Sequence, residues 1–255
     1  MKAIWSLRNG FIAFASILLL GCTSQSEKPL TIAAAANMQF ALTEITEAFT
    51  EETGIKTETI LGSSGKLNAQ IKEGAPYDVF VSADMAFPQD LYESGLTKVA
   101  PKVYANGTLI LWSFQNEIQP SFELLNNSSI KHIAIANPKT APYGIAASQV
   151  LNAKGFYNQV EGKLVFGESI GQTNQFIITG AAEVGFTAKS VVLSPQMKAK
   201  GNWVEIPGEL HDPISQGIVL LKTDEETSKK AQLFYDFMFS EKAKIILRKY
   251  GYQVP

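Results

Sequence analysis

The chain has few of the residues from which metal centres and disulfide frameworks are built. Its 255 residues include one cysteine, Cys22, and two histidines, His132 and His211, that lie far apart in the sequence. A single cysteine excludes an intrachain disulfide. Two isolated histidines argue against a zinc site, which takes about four nitrogen, sulfur or oxygen ligands. We therefore expect no direct metal ligands and no resident cofactor.

Net charge of either sign is also scarce. The 22 basic and 24 acidic residues give a formal net charge of −2. Neither nucleic acid nor an anionic membrane surface is therefore a favoured partner. An anionic ligand would gain nothing from the charge of the whole protein, so its site would have to attract it locally. The apolar content of 45% is enough for the core of one large or two medium domains.

The N-terminal segment has the composition of a secretion signal. Two basic residues precede an apolar run over residues 11–20, which is too short for a membrane-spanning helix of about 20 residues. The run ends in Leu-Leu-Gly-Cys, which resembles a bacterial lipobox, where the cysteine is lipidated and the chain is cut before it. We expect residues 1–21 to be a signal peptide and residues 22–29 a tether, with Cys22 anchoring the protein on the periplasmic side of the cell envelope. The alternative is an ordinary secretory signal with an incidental cysteine.

Apolar runs typical of buried strands alternate with amphipathic segments typical of helices. This alternation predicts an α/β protein with parallel sheets flanked by helices. It forms two units, and a late strand and two helices remain after the second unit is complete. The simplest arrangement returns them to the first unit. We therefore expect lobe I to contain residues 30–107 and 217–255, lobe II to contain residues 108–216, and a cleft to lie between them.

Small residues and short polar side chains mark four of the predicted strand-to-helix junctions. These junctions are Ala36-Asn37, with Asn37 the expected N-cap of its helix, Gly62–Gly65, Ala141–Gly144 and Ser169–Gly171. Ligands of such sheets bind beyond the carboxyl ends of the strands. The first N–H groups of a helix are unpaired and carry partial positive charge. Several of them aimed at one point form an anion site without lysine or arginine, and Lys66 is expected to point to solvent.

Taken together, these segments resemble the periplasmic molybdate-binding protein family. The resemblance rests on the sequences TIAAAAN at 31–37, GSSG at 62–65, GAPYDVFVSAD at 74–84 and APYG at 141–144. It implies a type II periplasmic binding protein, with two α/β lobes, each a mainly parallel sheet flanked by helices, and a ligand cleft between them. It further implies a monomer that catalyses no reaction and captures molybdate or tungstate for the permease and ATPase of an ABC importer.

The resemblance also implies which residues hold the oxyanion through backbone N–H, serine and asparagine hydrogen bonds. They are Asn37, Ser64, Tyr143 and Ile170, with Ala36 and Ser63 beside them. Tyr143 and Ile170 would donate backbone N–H groups and Ser64 its hydroxyl. Ala36 replaces a hydroxyl residue that usually precedes the asparagine, so it would donate only through its backbone. Ala188 stands where one branch of the family has a tyrosine, so the side-chain donors are fewer than in that branch.

Three other functions remain open from the residues themselves. The same scaffold would suit a sulfate, thiosulfate or phosphonate binder. A secreted serine hydrolase would use Ser63 or Ser64 with His132 or His211. A ligand-sensing partner of a membrane receptor would share the cleft and differ in its docking partner.

We expect Cys22→Ser to release a soluble or unprocessed protein, because Cys22 carries the only thiol in the chain. Labelling cells with palmitate and fractionating their membranes measures the anchoring. The neighbouring substitution Ser24→Ala serves as the control and should leave the protein lipidated. Unchanged membrane retention of the Cys22→Ser protein would contradict the lipobox interpretation.

Overall fold

The computed structural model describes residues 28–255, so the predicted signal peptide and Cys22 lie outside the described residues. In this part of the chain the strands are β1 Leu30–Ala35, β2 Thr57–Gly62, β3 Val79–Val81, β4 Lys102–Gly107, β5 Leu109–Ser113, β6 Ile133–Ala136, β7 Leu164–Gly167, β8 Val184–Ala188, β9 Asn202–Glu205 and β10 Ile214–Leu220. The α helices are α1 Gln39–Thr53, α2 Ser64–Lys72, α3 Ala86–Glu93, α4 Phe122–Leu125, α5 Pro142–Ala153, α6 Tyr157–Val160, α7 Ile170–Ile178, α8 Lys189–Val192, α9 Glu225–Met238 and α10 Glu241–Lys249. A 3-10 turn, Ala36–Met38, links β1 to α1. Between residues 28 and 255, no helix has the length and apolar character needed to span a bilayer.

The strands form two five-stranded sheets with matching order. Sheet I runs β2-β1-β3-β10-β4 and sheet II runs β7-β6-β8-β5-β9. In each sheet three neighbouring strands are parallel, and the next strand runs antiparallel to them. The α/β prediction is confirmed, but the sheets are mixed. The reason is that β5 and β10 arrive directly from the other sheet, without the helical crossover that a parallel neighbour requires.

The chain passes between the two sheets twice. The first passage is Thr108, between β4 and β5, and the second is the segment 206–213, between β9 and β10. Strand β10 already pairs with β4 at Ile214, whereas the expected return to the first unit lay after residue 216. A register shift between Gln216 and Gly217 interrupts this pairing.

Each sheet has a core of its own. All six residues of β1 are buried, as expected for a strand covered on both faces. Helices α1, α9 and α10 cover one side of sheet I, where the rings of Phe49 and Phe234 meet edge to face at 5.2 Å. Helices α5 and α7 pack on sheet II. Helix α1 is followed by Gly54, whose φ of 75° is the left-handed conformation that glycine commonly adopts at the C-terminus of a helix.

Helix α5 lies so close to β6 that Gly144 has no room for a side chain. A Cβ atom at this position would lie 2.1 Å from the carbonyl oxygen of Ala136. The missing side chain therefore allows the first turn of α5 to pack directly on the end of a strand in sheet II.

We expect Gly144→Ala to lower the free energy of unfolding by about 1–3 kcal/mol, the usual result of overpacking. The matched control is Gly162→Ala, because a Cβ at Gly162 meets no atom within 4 Å. The control should be neutral or slightly stabilising. Urea denaturation followed by circular dichroism measures both. Equal losses in the two variants would show that the close approach of α5 to β6 is not the cause.

Candidate functional site

A small cavity lies where four helix N-termini converge between the two sheets. It is lined by Ala35, Ala36, Asn37, Gly62, Ser63, Ser64, Ala83, Ala141, Pro142, Tyr143 and Ile170. The lining residues come from the ends of β1 and β2, from the segment after β3, and from the first turns of α2, α5 and α7. The structure thus brings together all six residues that the sequence predicted for the site: Ala36, Asn37, Ser63, Ser64, Tyr143 and Ile170.

The size and lining of the cavity restrict what it can hold. The space in it that a water-sized sphere can occupy is about 10 Å³, far below the roughly 300–1,000 Å³ of pockets for drug-sized ligands. None of the lining residues carries a charge. An occupant must therefore be small, and hydrogen bonds and backbone dipoles must hold it.

The helix ends at the cavity mostly lack side-chain caps. The N-cap residues Ala35, Ser63 and Ala141 make no side-chain cap bond. Only Ser169 does so, accepting from the Gln172 N–H at 3.5 Å. Apart from the Gly65 N–H, which donates to the Thr140 carbonyl, the first backbone N–H groups of the three uncapped elements have no side-chain acceptor, and they carry partial positive charge. A cavity built in this way favours an anion.

The two adjacent serines have different surroundings. Ser64 Oγ accepts the backbone N–H of Ala83 at 2.9 Å. Ser63 is 3% exposed, and its Oγ has no partner in the part of the chain that the structure describes. A buried hydroxyl without a hydrogen bond is unfavourable. The sequence predicted Ser64 as the hydroxyl donor, and its bond from Ala83 uses only an acceptor lone pair, so the Ser64 hydroxyl proton is still available to a ligand. Ser63 offers a second hydroxyl at the cavity.

Asn37 occupies the cavity in a different way from that expected. It lies inside the 3-10 turn, and the N-cap is Ala35, so the predicted N-cap was wrong; the chain turns two residues earlier. The side-chain Nδ2 donates to Gln216 Oε1 and to Tyr252 Oη, both at 3.0 Å. Because these bonds use both of its amide protons, the group that Asn37 can offer a ligand is its backbone N–H.

A buried polar network supports Asn37 from outside the lining. Besides Asn37, Gln216 contacts the hydroxyls of Tyr104, at 2.7 Å, and Tyr143, at 3.2 Å. Burial raises the pKa of Tyr104 and Tyr143 well above the ordinary value and that of Tyr252 to about 12. All three hydroxyls therefore stay neutral near pH 7. The sequence did not indicate Tyr104, Gln216 or Tyr252, since none of them belongs to a recognisable motif.

Direct contacts join the two sheets' elements beside the cavity. The Gly65 N–H donates to the Thr140 carbonyl at 2.9 Å. A Cβ on Gly65 would lie 2.8 Å from the Phe87 ring and 3.0 Å from the Thr140 backbone, so this approach requires glycine. The Lys66 ammonium pairs with Glu168. The expectation that Lys66 points only to solvent is therefore incomplete, although half of its side chain is exposed.

The remaining titratable candidates lie elsewhere. His132 is exposed, His211 is half-buried, and neither lines the cavity. A serine hydrolase needs an imidazole beside its nucleophilic serine, and the serines at the cavity have none. Asp78 accepts the Thr31 N–H at 2.7 Å and Asp84 the Phe87 N–H at 3.3 Å. Within residues 28–255, no three His, Cys, Asp or Glu side chains are grouped to hold a metal ion.

Comparison with known proteins agrees with this architecture. A model of the family described as bacterial extracellular solute-binding protein matches residues 30–253. The molybdate-binding protein ModA of Azotobacter vinelandii is 39% identical over 236 residues, covering 92% of this chain and 93% of that protein. ModA of Rhodobacter capsulatus is 38% identical over 248 residues, covering 97% of this chain and 96% of that protein. The structure of the Azotobacter vinelandii periplasmic molybdate-binding protein superposes with a TM-score of 0.84 at 33% identity, covering 89% of this chain and 99% of that one, which confirms the predicted type II fold.

We expect the two serines to affect the stability of the ligand-free protein in different ways. Ser64→Ala leaves the buried Ala83 N–H unpaired and should lower the free energy of unfolding by about 1–3 kcal/mol. Ser63→Ala removes a hydroxyl that has no partner, so stability should be unchanged or higher. Urea unfolding without added oxyanion measures both. A loss in Ser63→Ala as large as that in Ser64→Ala would show that Ser63 Oγ has a structural partner.

Proposed function

Because this chain belongs to the bacterial extracellular solute-binding protein family, we propose that it captures molybdate or tungstate for an ABC importer. The observation that carries the proposal is the convergence of uncapped helix N-termini on a small, uncharged cavity. The ModA relatives support the choice of ligand. The oxyanion is cargo, and the protein, a monomer without a resident cofactor or catalytic activity, delivers it to a permease and an ATPase. It works on the periplasmic side of the membrane, anchored through Cys22.

Fixed hydrogen-bond donors hold the dianion in this proposal. An anion stripped of water needs a donor for nearly every oxygen lone pair. Backbone N–H groups of Asn37, Ser64, Tyr143 and Ile170 supply several, each in the first turn of a helix or 3-10 turn. The hydroxyls of Ser64 and Ser63 add side-chain donors, and Ala36 contributes only its backbone. The partial charges of the helix ends take the place of a lysine or arginine.

We further propose that the two sheets with their helices are lobes that close over the ligand. Lobe I contains residues 30–107 and the segment that returns at β10, and lobe II contains the residues between. The two passages between the sheets would act as the hinge. The hydrogen bond from Gly65 to Thr140 and the ion pair between Lys66 and Glu168 would then belong to the closed state and break on opening.

We expect molybdate and tungstate to bind with similar affinity, sulfate much more weakly and phosphate least. Donors on rigid elements of two lobes define a cavity of one size, and the smaller sulfate leaves some of them out of reach. Phosphate at neutral pH carries a proton, and the backbone N–H groups of the site cannot accept it. Calorimetric titration with the four anions at equal ionic strength tests the order. Sulfate binding as tight as molybdate would favour the sulfate, thiosulfate or phosphonate alternative, and binding of none would overturn the proposal.

Two variants separate hydrogen bonding from charge in the same titration. Ser63→Ala should weaken molybdate binding by roughly ten- to a hundredfold, because a hydrogen bond to a charged group is lost. Lys66→Met is the control: its ion pair is half exposed and should change affinity by less than about fivefold, chiefly at low salt. A larger effect of Lys66→Met than of Ser63→Ala would contradict the uncharged site.

A further inference from the structure

One buried side chain connects the two sides of the cavity. Gln216 is 0% exposed and lies on β10, at the register shift. Its Oε1 accepts from Asn37 Nδ2 at 3.0 Å, and its Nε2 donates to Tyr143 Oη at 3.2 Å. Asn37 belongs to the turn that follows β1 of sheet I, whereas Tyr143 belongs to the first turn of α5 on sheet II. A single carboxamide therefore bonds a cavity-lining residue from each unit.

We propose that Gln216 is a positioning residue that fixes the separation between the turns of Asn37 and Tyr143 and so sets which oxyanion fits. The inference rests on the proposed oxyanion-binding function. Gln216 does not line the cavity, so it acts through its two neighbours and not by touching the ligand. Its influence would therefore be greatest on the choice between anions of different size.

The bonding pattern requires both a donor and an acceptor at the end of the side chain. Tyr104 Oη donates to Oε1 at 2.7 Å, so this oxygen accepts two hydrogen bonds, from Tyr104 and from Asn37. The amide is thereby oriented with Nε2 toward Tyr143. A glutamate at this position has the same shape, but its ionised carboxylate only accepts. It would place a negative charge beneath an anion site and lose the donor to Tyr143.

The surroundings hold Asn37 firmly enough to transmit this spacing. Its backbone carbonyl accepts from Ser190 Oγ at 2.8 Å and from Tyr252 Oη at 2.9 Å. Ser190 lies on α8, directly after β8 of sheet II, so the turn is tied to both units. The Asn37 turn is thus held by hydrogen bonds from several elements and does not depend on a single contact.

Four titratable side chains lie on the elements packed around Gln216: Tyr104 on β4, Tyr143 on α5, Tyr252 after α10, and Asp84. The Asp84 backbone carbonyl accepts the Gly217 N–H, and its carboxylate accepts the Ser82 hydroxyl. The tyrosines remain neutral near pH 7 because burial raises their pKa. A glutamate introduced here would be the one new titrating group, and burial would raise its pKa as well.

The test compares Gln216→Glu with Gln175→Glu, which makes the same charge change on the exposed face of α7. Molybdate affinity is measured by calorimetry from about pH 8 to about pH 6. We expect Gln216→Glu to bind at least about tenfold more weakly at the higher pH and to recover as the new carboxyl is protonated and regains a donor. The wild type and Gln175→Glu should show the same affinity and the same flat profile. A flat wild-type-like profile for Gln216→Glu would overturn the inference.

Tyr143→Phe provides a second measurement that can be made even if Gln216→Glu does not fold. It removes only the hydroxyl that accepts from Gln216 Nε2 and keeps the Tyr143 backbone N–H. We expect molybdate binding to weaken by about two- to tenfold, and the ratio of molybdate to sulfate affinity to fall because the spacing is no longer fixed. An unchanged ratio, with only the unfolding free energy lowered, would assign the network a structural role and overturn the inference.

The wild-type protein distinguishes failure of this inference from failure of the proposed function. If the wild type binds no oxyanion, the proposed function is wrong and the positioning role is lost with it. If the wild type binds and the variants bind equally well, the positioning role alone is rejected.

Discussion

Backbone N–H groups that are left unpaired at the ends of helices are the constraint on which the rest of this structure depends. A side-chain cap normally stabilises a helix by about 0.5–2 kcal/mol, and the helices around the cavity mostly do without one. Alanine occupies the N-cap at two of these ends. At the third, Ser63 has a suitable hydroxyl that does not cap the helix. A capping oxygen would occupy the donors that a bound anion needs, so the absence of caps and the absence of charged lining residues have the same explanation.

The topology of the two sheets explains how so many helix ends meet at one point. In both sheets the first of the three parallel strands lies between the second and the third. The helices that follow these strands therefore start on either side of a reversal in strand order, where α/β sheets bind ligands. Strands β5 and β10 each arrive directly from the other sheet. They hold the two sheets together so that these two reversals in strand order face each other. Strand β10 also carries Gln216 to the position beneath the cavity, so the segment that links the units supplies their shared polar contact.

The sequence predicted the features that have local signals and missed those that depend on distant partners. The alternation of strands and helices, the junctions at the cavity and the C-cap at Gly54 follow from apolar periodicity and from glycine. Strand direction does not, because a buried strand has the same pattern in either orientation, so the mixed sheets were not expected. Nor can a sequence distinguish Ser63 from Ser64, since their difference lies in the contact of Ser64 with Ala83. The partners of Asn37 are 179 and 215 positions away, and no local pattern indicates them.

The separation of 215 residues between Asn37 and Tyr252 also has a consequence for the order in which the protein folds. Contacts between segments so distant in sequence form late and slow the folding of a domain, because a long loop must first be closed. The turn around Asn37 is synthesised early, yet it acquires its last hydrogen-bond partner only when residue 252 has left the ribosome. A nascent chain therefore lacks a finished cavity during nearly all of its synthesis. A cavity able to hold a ligand therefore needs both sheets and the segment around Tyr252 to be in place.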